Sequence, residues 1–496
     1  MNSLYTRIEI SKTGVPVPLK DGICVCSKYN PEKEAELFAS GFEQSEIFFV
    51  VAGLCSGWHI EKLLKENPNR KLIVVENTRE DFDFLMQIPL CKKLSEDERV
   101  IFSTPQTLFS DILNNYIPAL FGNLNFCFLR GWENAFAEKM PVLKTIIDRA
   151  IKTVKADFSV QSHFGKIWNK NIFENLKTAS ENDTSFWLTD FIKNSKKDRS
   201  KAEGQTAAVI AAGPSLDKSI EKLKKNPEKY FIISTDTAYS TLLRSKITPQ
   251  IVVSLDGQSI SRCHFLHKME KTATVFAFDL CANSIPVKKL AEKQQKILFF
   301  ESGHPLSALA ANFCGKNFIH LNAGTGTVTI AAADLAFTLG FEKLEFFGAD
   351  FAYSGGKPYA KGTYLDTLYA KDQNRLSPVE HSFCRLMYRT ELIPLKNNAF
   401  TTEVLKNYGF SLETFLNSQK RTNNIKELPH GNFDLRSFYS CLKNRLLEMP
   451  EKIEETAPDK IQFFILPLMA YFEKTHSIQD SYKLARTACL RYTERI

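Results

Sequence analysis

The chain has 496 residues, 44% apolar and 24% charged, with a net charge of +8 from 64 basic and 56 acidic side chains. This is the balance of an ordinary globular protein of about three domains, and so diluted a positive charge suits an anionic ligand or acidic partner without requiring nucleic acid. Apolar runs such as IFFVVAGLC fall short of the ~20 residues that span a bilayer, and the eleven cysteines form no CxxC pair, which excludes a membrane-spanning or disulfide-stapled chain and leaves the expectation of a soluble cytoplasmic protein with free thiols.

Residues 1–165 open with the extended pieces YTRIEI and GICVCS, then enter a helix through Asn30 and Pro31. The strand EIFFVVAG, the turn GLCSG, the helix WHIEKLLKEN and the strand KLIVVEN, ending in Glu76, spell a βαβ unit. Its carboxylate stands about 20 positions after the glycines, where such a residue takes a ribose hydroxyl. Gly53 and Gly57 do not complete G-x-G-x-x-G, so the segment reads as a degenerate Rossmann-like α/β domain with a structural or protein-binding role. FSVQSHFGKIWNKNIFENL (158–176) is a helical bridge, and the basic run KNSKKDRSK (193–201) is a solvated linker.

Residues 166–400 form the central domain. The strands AAVIAA, YFIIST, QIVVSL, TVFAFD, KILFFE, NFIHLN and KLEFFG alternate with helical patterns. Near-continuous apolar strands belong to a parallel sheet covered on both faces. Their endings are Gly213-Pro214-Ser215, Thr235-Asp236, Asp256, Asp279, Glu301-Ser302, Asn322 to Thr327, and Gly348-Ala349-Asp350. In a parallel sheet all these ends share one edge, where open α/β sheets bind ligands.

The endings have distinct chemistry. Gly213 allows a sharp turn, Pro214 stiffens it, and Ser215 with the first amides of the next helix suits a phosphate. Asp236, beside Thr235 and about 20 residues on, suits ribose hydroxyls. Gly324, Thr325, Gly326 and Thr327 make a second anion nest for a carboxylate or phosphate. The glycine-rich loop GADFAYSGGKPYAKGTYLD carries Tyr353, Lys357, Tyr359 and Lys361 and is able to close over a leaving phosphate. The chain lacks G-x-x-x-x-G-K-[ST], H-E-x-x-H and G-x-S-x-G, and its nine histidines do not pair at metal spacing. A nucleotide-dependent transferase with a sugar or phosphoryl donor remains. Residues 401–496 read as helices without a polar cluster, a helical domain that caps the sheet or meets a partner.

AAGPSLD, ISTDTAYSTLLRSKITPQIVVSLDGQ, NAGTGTVTIAAADLAFTLG and FFGADFAYSGGKPYAKGT, in this order, resemble the motility-associated factor (Maf) flagellin glycosyltransferases. CSKYNPEKEA and HFGKIWNKNIFENL match the N-terminal part, so the resemblance runs over roughly residues 20–400. It implies transfer of a nonulosonic acid, of pseudaminic or legionaminic type, from a CMP-activated donor to Ser or Thr hydroxyls of flagellin. It also implies a central domain similar to bacterial sialyltransferases. Carried onto this chain, Gly213 to Leu216 match the turn at the cytidine nucleotide, and Thr325, Gly326 and Thr327 match the turn at the donor carboxylate. Tyr353 and Tyr359 match the phosphate-binding tyrosines, although Ala352 stands where a Tyr would be. Asp236 and Asp256 stand where the sialyltransferases have Asn, which makes a divalent cation, magnesium or manganese, compatible but not required. His381, in SPVEHSFCRLMYR, falls about where the sialyltransferase base would be, and Asp256 and Asp350 join it as catalytic candidates. Two other readings stay open: an ATP-dependent pterin-type diphosphokinase with Asp236, Asp256 and Asp350 around magnesium, and a non-catalytic flagellin-binding protein.

Overall fold

The computed structural model describes residues 3–181, 206–265, 272–315, 318–324, 326–371, 373–418, 433–453 and 462–494. The basic run 193–201 and Thr325 lie outside the described residues. The chain divides into two compact units, Met1–Gly165 with Arg445–Arg491, and Lys166–Asn444 with Tyr492–Ile496. Among the C-terminal helices, Glu403–Ser418 belongs to the second unit and Leu466–Phe472 to the first. All eleven cysteines are free thiols. Among the described residues no helix is long and apolar enough to cross a membrane.

In the first unit, β1 (Arg7–Ile10), β2 (Pro16–Lys20) and β3 (Ile23–Cys24) pair antiparallel. A parallel sheet of β4 (Phe48–Ala52), β5 (Lys71–Val75), β6 (Val100–Ser103) and β7 (Leu124–Phe128) has the order β6-β5-β4-β7. Every residue of β4 is buried, as its continuous apolar run dictates for a central strand. The glycine turn after β4 is packed by the unit's own rings. Gly53 has φ +93°, and a Cβ there would stand 2.3 Å from Trp132 Cδ1. Glu76, fully buried, accepts hydrogen bonds from the Leu54 N–H at 2.7 Å and the Tyr5 hydroxyl at 2.9 Å. The Trp132 Nε1 lies 3.5 Å from its second oxygen. Trp132 thus crowds Gly53, Leu90 and Leu94 crowd Gly57, Trp132 and Tyr5 cover the carboxylate, and burial pushes the Glu76 carboxyl up to about 8.

In the second unit, β8 (Thr206–Ile210), β9 (Tyr230–Thr235), β10 (Ile251–Ser254), β11 (Val275–Asp279), β12 (Lys296–Glu301), β13 (Ile319–His320) and β14 (Leu344–Phe347) form one sheet. Its order is β13-β12-β11-β10-β9-β8-β14, and every pairing is parallel. The fold expected from the alternating apolar strands and helices, a parallel α/β sheet, is the one found. Side-chain alternation splits each strand between two cores. Ala207, Val209, Phe231 and Ile233 pack on one face with Ile330, Ala331, Ala332 and Leu335 of helix Val328–Thr338. Ala208, Ile210, Tyr230 and Ile232 pack on the other with Leu216 and Ile220 of helix Leu216–Lys225 and Leu242 of helix Asp236–Arg244. The alanines of helix Val328–Thr338 carry little side chain, so its backbone lies close to the sheet. A small antiparallel sheet, β15 (Tyr353–Ser354), β16 (Ile393–Pro394) and β17 (Ala399–Thr401), has β17 at its centre.

Candidate functional site

The turn after β8 is stitched to the end of β14. Ala211 N–H donates to Phe347 O at 2.8 Å, Gly213 N–H to Gly348 O at 2.7 Å, and Ala360 N–H to Ala212 O at 2.8 Å. Gly213 is required by this closeness, because a Cβ would meet Gly348 O at 2.5 Å and Asp350 Oδ2 at 2.6 Å. Ser215 sits at the N-cap of helix Leu216–Lys225, yet its side chain does not cap that helix. Its backbone N–H donates to Asp350 Oδ2 at 2.7 Å, and its hydroxyl donates to Asp350 Oδ1. The anion at this helix start is therefore the chain's own Asp350. The Lys361 N–H donates to Asp217 Oδ1 at 2.8 Å, and Lys357 Nζ lies 3.8 Å from Asp217 Oδ2, so the glycine-rich loop is tied to the same helix end.

Asp236, buried at the tip of β9, is held by three donors. Thr237 gives its N–H at 2.6 Å and its hydroxyl at 3.1 Å to Oδ1, and Ser254 gives its hydroxyl at 2.6 Å to Oδ2. Thr235 Oγ1 beside it is buried without a hydrogen-bond partner among the described residues. Asp256, beyond β10, accepts the Gln258 N–H at 2.8 Å. Burial raises its pKa and the charge of Asp236 adds to that, against the Gln258 hydrogen bond and His264.

The phenols belong to the same neighbourhood. Tyr359 is 36% exposed, and partial desolvation raises its pKa first, then the charges of Tyr353, Asp236 and Tyr408, with Arg389 opposing. Burial likewise raises Tyr353, again against Arg389, and it raises Tyr364, with Tyr359 and Asp236 adding. Asp236, Asp256, Tyr353, Tyr359 and Tyr364 thus form one electrostatic cluster at the carboxyl edge of β9 and β10. Three members were missed in the sequence. His264 is buried with Nδ1 unpartnered among the described residues, and its ring stands edge-on to Tyr364 at 4.6 Å. Tyr364 and Arg389 complete the set; they lie inside GADFAYSGGKPYAKGTYLD and SPVEHSFCRLMYR, where the sequence reading singled out their neighbours instead.

Among the described residues of the turn 322–327, three amides find acceptors within the turn. Gly324 N–H donates to Asn322 Oδ1 at 2.7 Å, and the N–H groups of Gly326 and Thr327 both donate to Ala323 O at 3.0 Å. Thr327 Oγ1 accepts the Thr329 N–H at 3.3 Å and caps helix Val328–Thr338. Gly326 has φ +89° and open space where a Cβ would be. A Cβ on Gly324 would stand 3.8 Å from Ser411 Cβ, and one on Gly409 would stand 3.5 Å from the Phe351 ring, so helix Glu403–Ser418 links this turn to the segment that carries Tyr353.

His381 lies exposed on helix Val379–Met387, and its side chain makes no hydrogen bond to the described residues. The carboxylates do not fit a protein-only metal cage. Asp350 faces Ser215, Asp236 is taken by Thr237 and Ser254, and among the described residues no three His, Cys, Asp or Glu side chains gather around one point suited to a cation.

A family model described as 6-hydroxymethylpterin diphosphokinase MptE-like matches residues 170–356. A protein of Treponema pallidum (strain Nichols), described as uncharacterized, is 34% identical over 168 residues, which are 33% of this chain and 74% of that protein. A second such protein of the same strain is 41% identical over 113 residues, 23% of this chain and 40% of the relative. In structure the chain is similar to the Maf glycosyltransferase from Magnetospirillum magneticum AMB-1, with a TM-score of 0.49 and 14% identity over 99% of this chain and 87% of that one.

Proposed function

The chain belongs to one family with the Treponema pallidum protein that it covers over 74% of its length, and we propose that it is a glycosyltransferase moving a nonulosonic acid from a CMP-activated donor to Ser or Thr hydroxyls of flagellin in the cytoplasm. The donor and acceptor classes come from the resemblance of the ordered motifs to the Maf flagellin glycosyltransferases. The observation that carries the reading is the row of polar strand tips, Ser215, Asp236, Asp256 and Asp350, along the carboxyl edge of the parallel sheet.

In this reading Asp256 accepts a hydrogen bond from a donor hydroxyl, and Asp236, held by Thr237 and Ser254, fixes the tip of β9 beside it. Tyr353 and Tyr359, protonated phenols at neutral pH, donate to the phosphate as its bond to the sugar breaks. Arg389, whose charge reaches both phenols, adds a cation where negative charge grows. Ser215, tied to Asp350, fixes the strand tips that border the nucleotide. No step is routed through a metal.

The match to the diphosphokinase-like family model favours one second reading, an ATP-dependent diphosphokinase. The separate engagement of Asp236 and Asp350 speaks against a shared magnesium site. Thermal melting of the full chain with CMP or ATP separates the two. Protection by CMP and not by ATP is expected, together with a nonulosonic-acid mass increment on flagellin incubated with the chain and a CMP-activated donor. Protection by ATP alone, with no increment, would replace the glycosyltransferase with the kinase.

A further inference from the structure

The helical bridge 158–176 ends in KIWNKNIFENL, and two asparagines of that run, Asn171 and Asn175, have no part in the proposed site. They stand four residues apart on helix Met140–Glu181, and so on one face of it. Both are buried. Within the second unit this face meets the turns that follow β10 and β11, neighbouring parallel strands. Asn171 Nδ2 donates to Gly257 O and to Cys281 O, each at 3.0 Å, and so ties the two turns together. Asn175 Nδ2 donates to Leu280 O at 2.9 Å and to Ala282 O at 2.8 Å, both in the turn after β11. Gly257 is pressed against this junction: a Cβ there would stand 2.8 Å from Cys281 O and 3.2 Å from Asn171 Nδ2.

The turn after β10 carries Asp256, and each of its carbonyls is taken. Asp256 O accepts the Asn283 N–H at 3.1 Å, Gly257 O the Asn171 amide, and Gln258 O the Asn283 side-chain amide at 2.8 Å. The Gln258 N–H closes the turn on the Asp256 carboxylate at 2.8 Å. A backbone held at three successive carbonyls does not rotate without stranding an acceptor, which is costly where water is excluded. We infer that Asn171 is a positioning residue of the donor site: it fixes the Gly257 carbonyl and thereby sets where Asp256 presents its carboxylate. The inference rests on the glycosyltransferase reading, in which Asp256 accepts a donor hydroxyl.

The residue type follows from the geometry. A primary amide supplies two N–H donors, one for each carbonyl. N171D keeps the shape but sets a carboxylate against two carbonyl oxygens, and N171A leaves both without this donor. Asn175 is the internal contrast, because its amide reaches only the turn after β11. A hydroxyl held alike in the ground and transition states governs donor binding rather than turnover.

The test uses the full chain, CMP-activated pseudaminic acid and flagellin, with transfer read by intact mass and stability by urea unfolding. N171A is expected to raise the donor KM about tenfold, roughly one hydrogen bond's worth of binding, with kcat and the acceptor KM close to the parent's. N175A, which also strips two carbonyls of their donor, is expected to lose comparable stability and to keep the parental donor KM. D256A raises the donor KM by itself, and N171A added to D256A is expected to raise it no further, because residues that act through one contact are not additive. Should N171A not fold, N283D takes its place in the same cycle: it keeps the oxygen that caps the Ile285 N–H and removes the amide from Gln258 O. A parental donor KM in N171A, an equal rise in N175A, or a rise that multiplies with that of D256A overturns the inference and leaves the glycosyltransferase standing. A parent chain with neither CMP protection nor transfer sinks the glycosyltransferase reading, and the positioning role with it.

Discussion

Ser215 donates both its backbone N–H and its hydroxyl to Asp350, a residue 135 positions further along the chain. The pair clamps the tip of β8 to the continuation of β14 and holds the Gly213 turn in place. Replacing Asp350 by Ala strips the acceptor from two donors at once. D350A is expected to lose about 1–2 kcal/mol of stability in urea unfolding and to bind CMP at least about tenfold more weakly by calorimetry, since each tenfold needs only about 1.4 kcal/mol. S215A keeps the backbone bond and is expected to lose about half as much stability. D350A with parental stability and CMP affinity would show that the clamp does not shape the site.

Two glycines of the sheet edge separate backbone strain from crowding. Gly348 has φ +66°, and a Cβ there would stand 2.3 Å from Ala211 O. Gly326 has φ +89° but meets nothing within 4 Å. G348A must bend the strand tips apart and is expected to cost about 2–4 kcal/mol. G326A carries only the left-handed penalty, roughly 1 kcal/mol. Thermal melting of both variants ranks them, and an equal or reversed order contradicts the close approach of β8 and β14.

Glu76 gives the first unit a pH signature. Burial, the largest cause, lifts its carboxyl from 4.5 to about 8. A carboxyl raised on folding holds its proton more tightly in the folded state, so its contribution is fully present below the unfolded value and is lost as pH rises through the folded one. Stability of this unit is expected to decline between pH 4.5 and about 8 on this account. E76Q, which cannot ionise, should flatten that decline in urea unfolding followed by Trp fluorescence. A parental slope in E76Q would place the ionisation elsewhere.

Much of the central sheet was legible because its signals are local. A buried parallel strand needs a continuous apolar run, and β9, β10, β11 and β12 each supply one. Such a run must end where the chain reaches water, so Asp236, Asp256, Asp279 and Asp350 were readable as tips of one edge. The small sheet of β15, β16 and β17 was not legible, because strands of two or three residues are too short to show alternation.

What the sequence by itself determined was which residues are apolar in which period, and hence the parallel α/β sheet and its polar carboxyl edge. Tertiary structure alone decided the partners: Asp350 on Ser215, Trp132 over Gly53, His264 against Tyr364, Glu301 on His320. The physical reason is range. Periodicity and turn chemistry act over a few residues, whereas a hydrogen bond between two strand tips depends on strand order and register, which many distant contacts fix together.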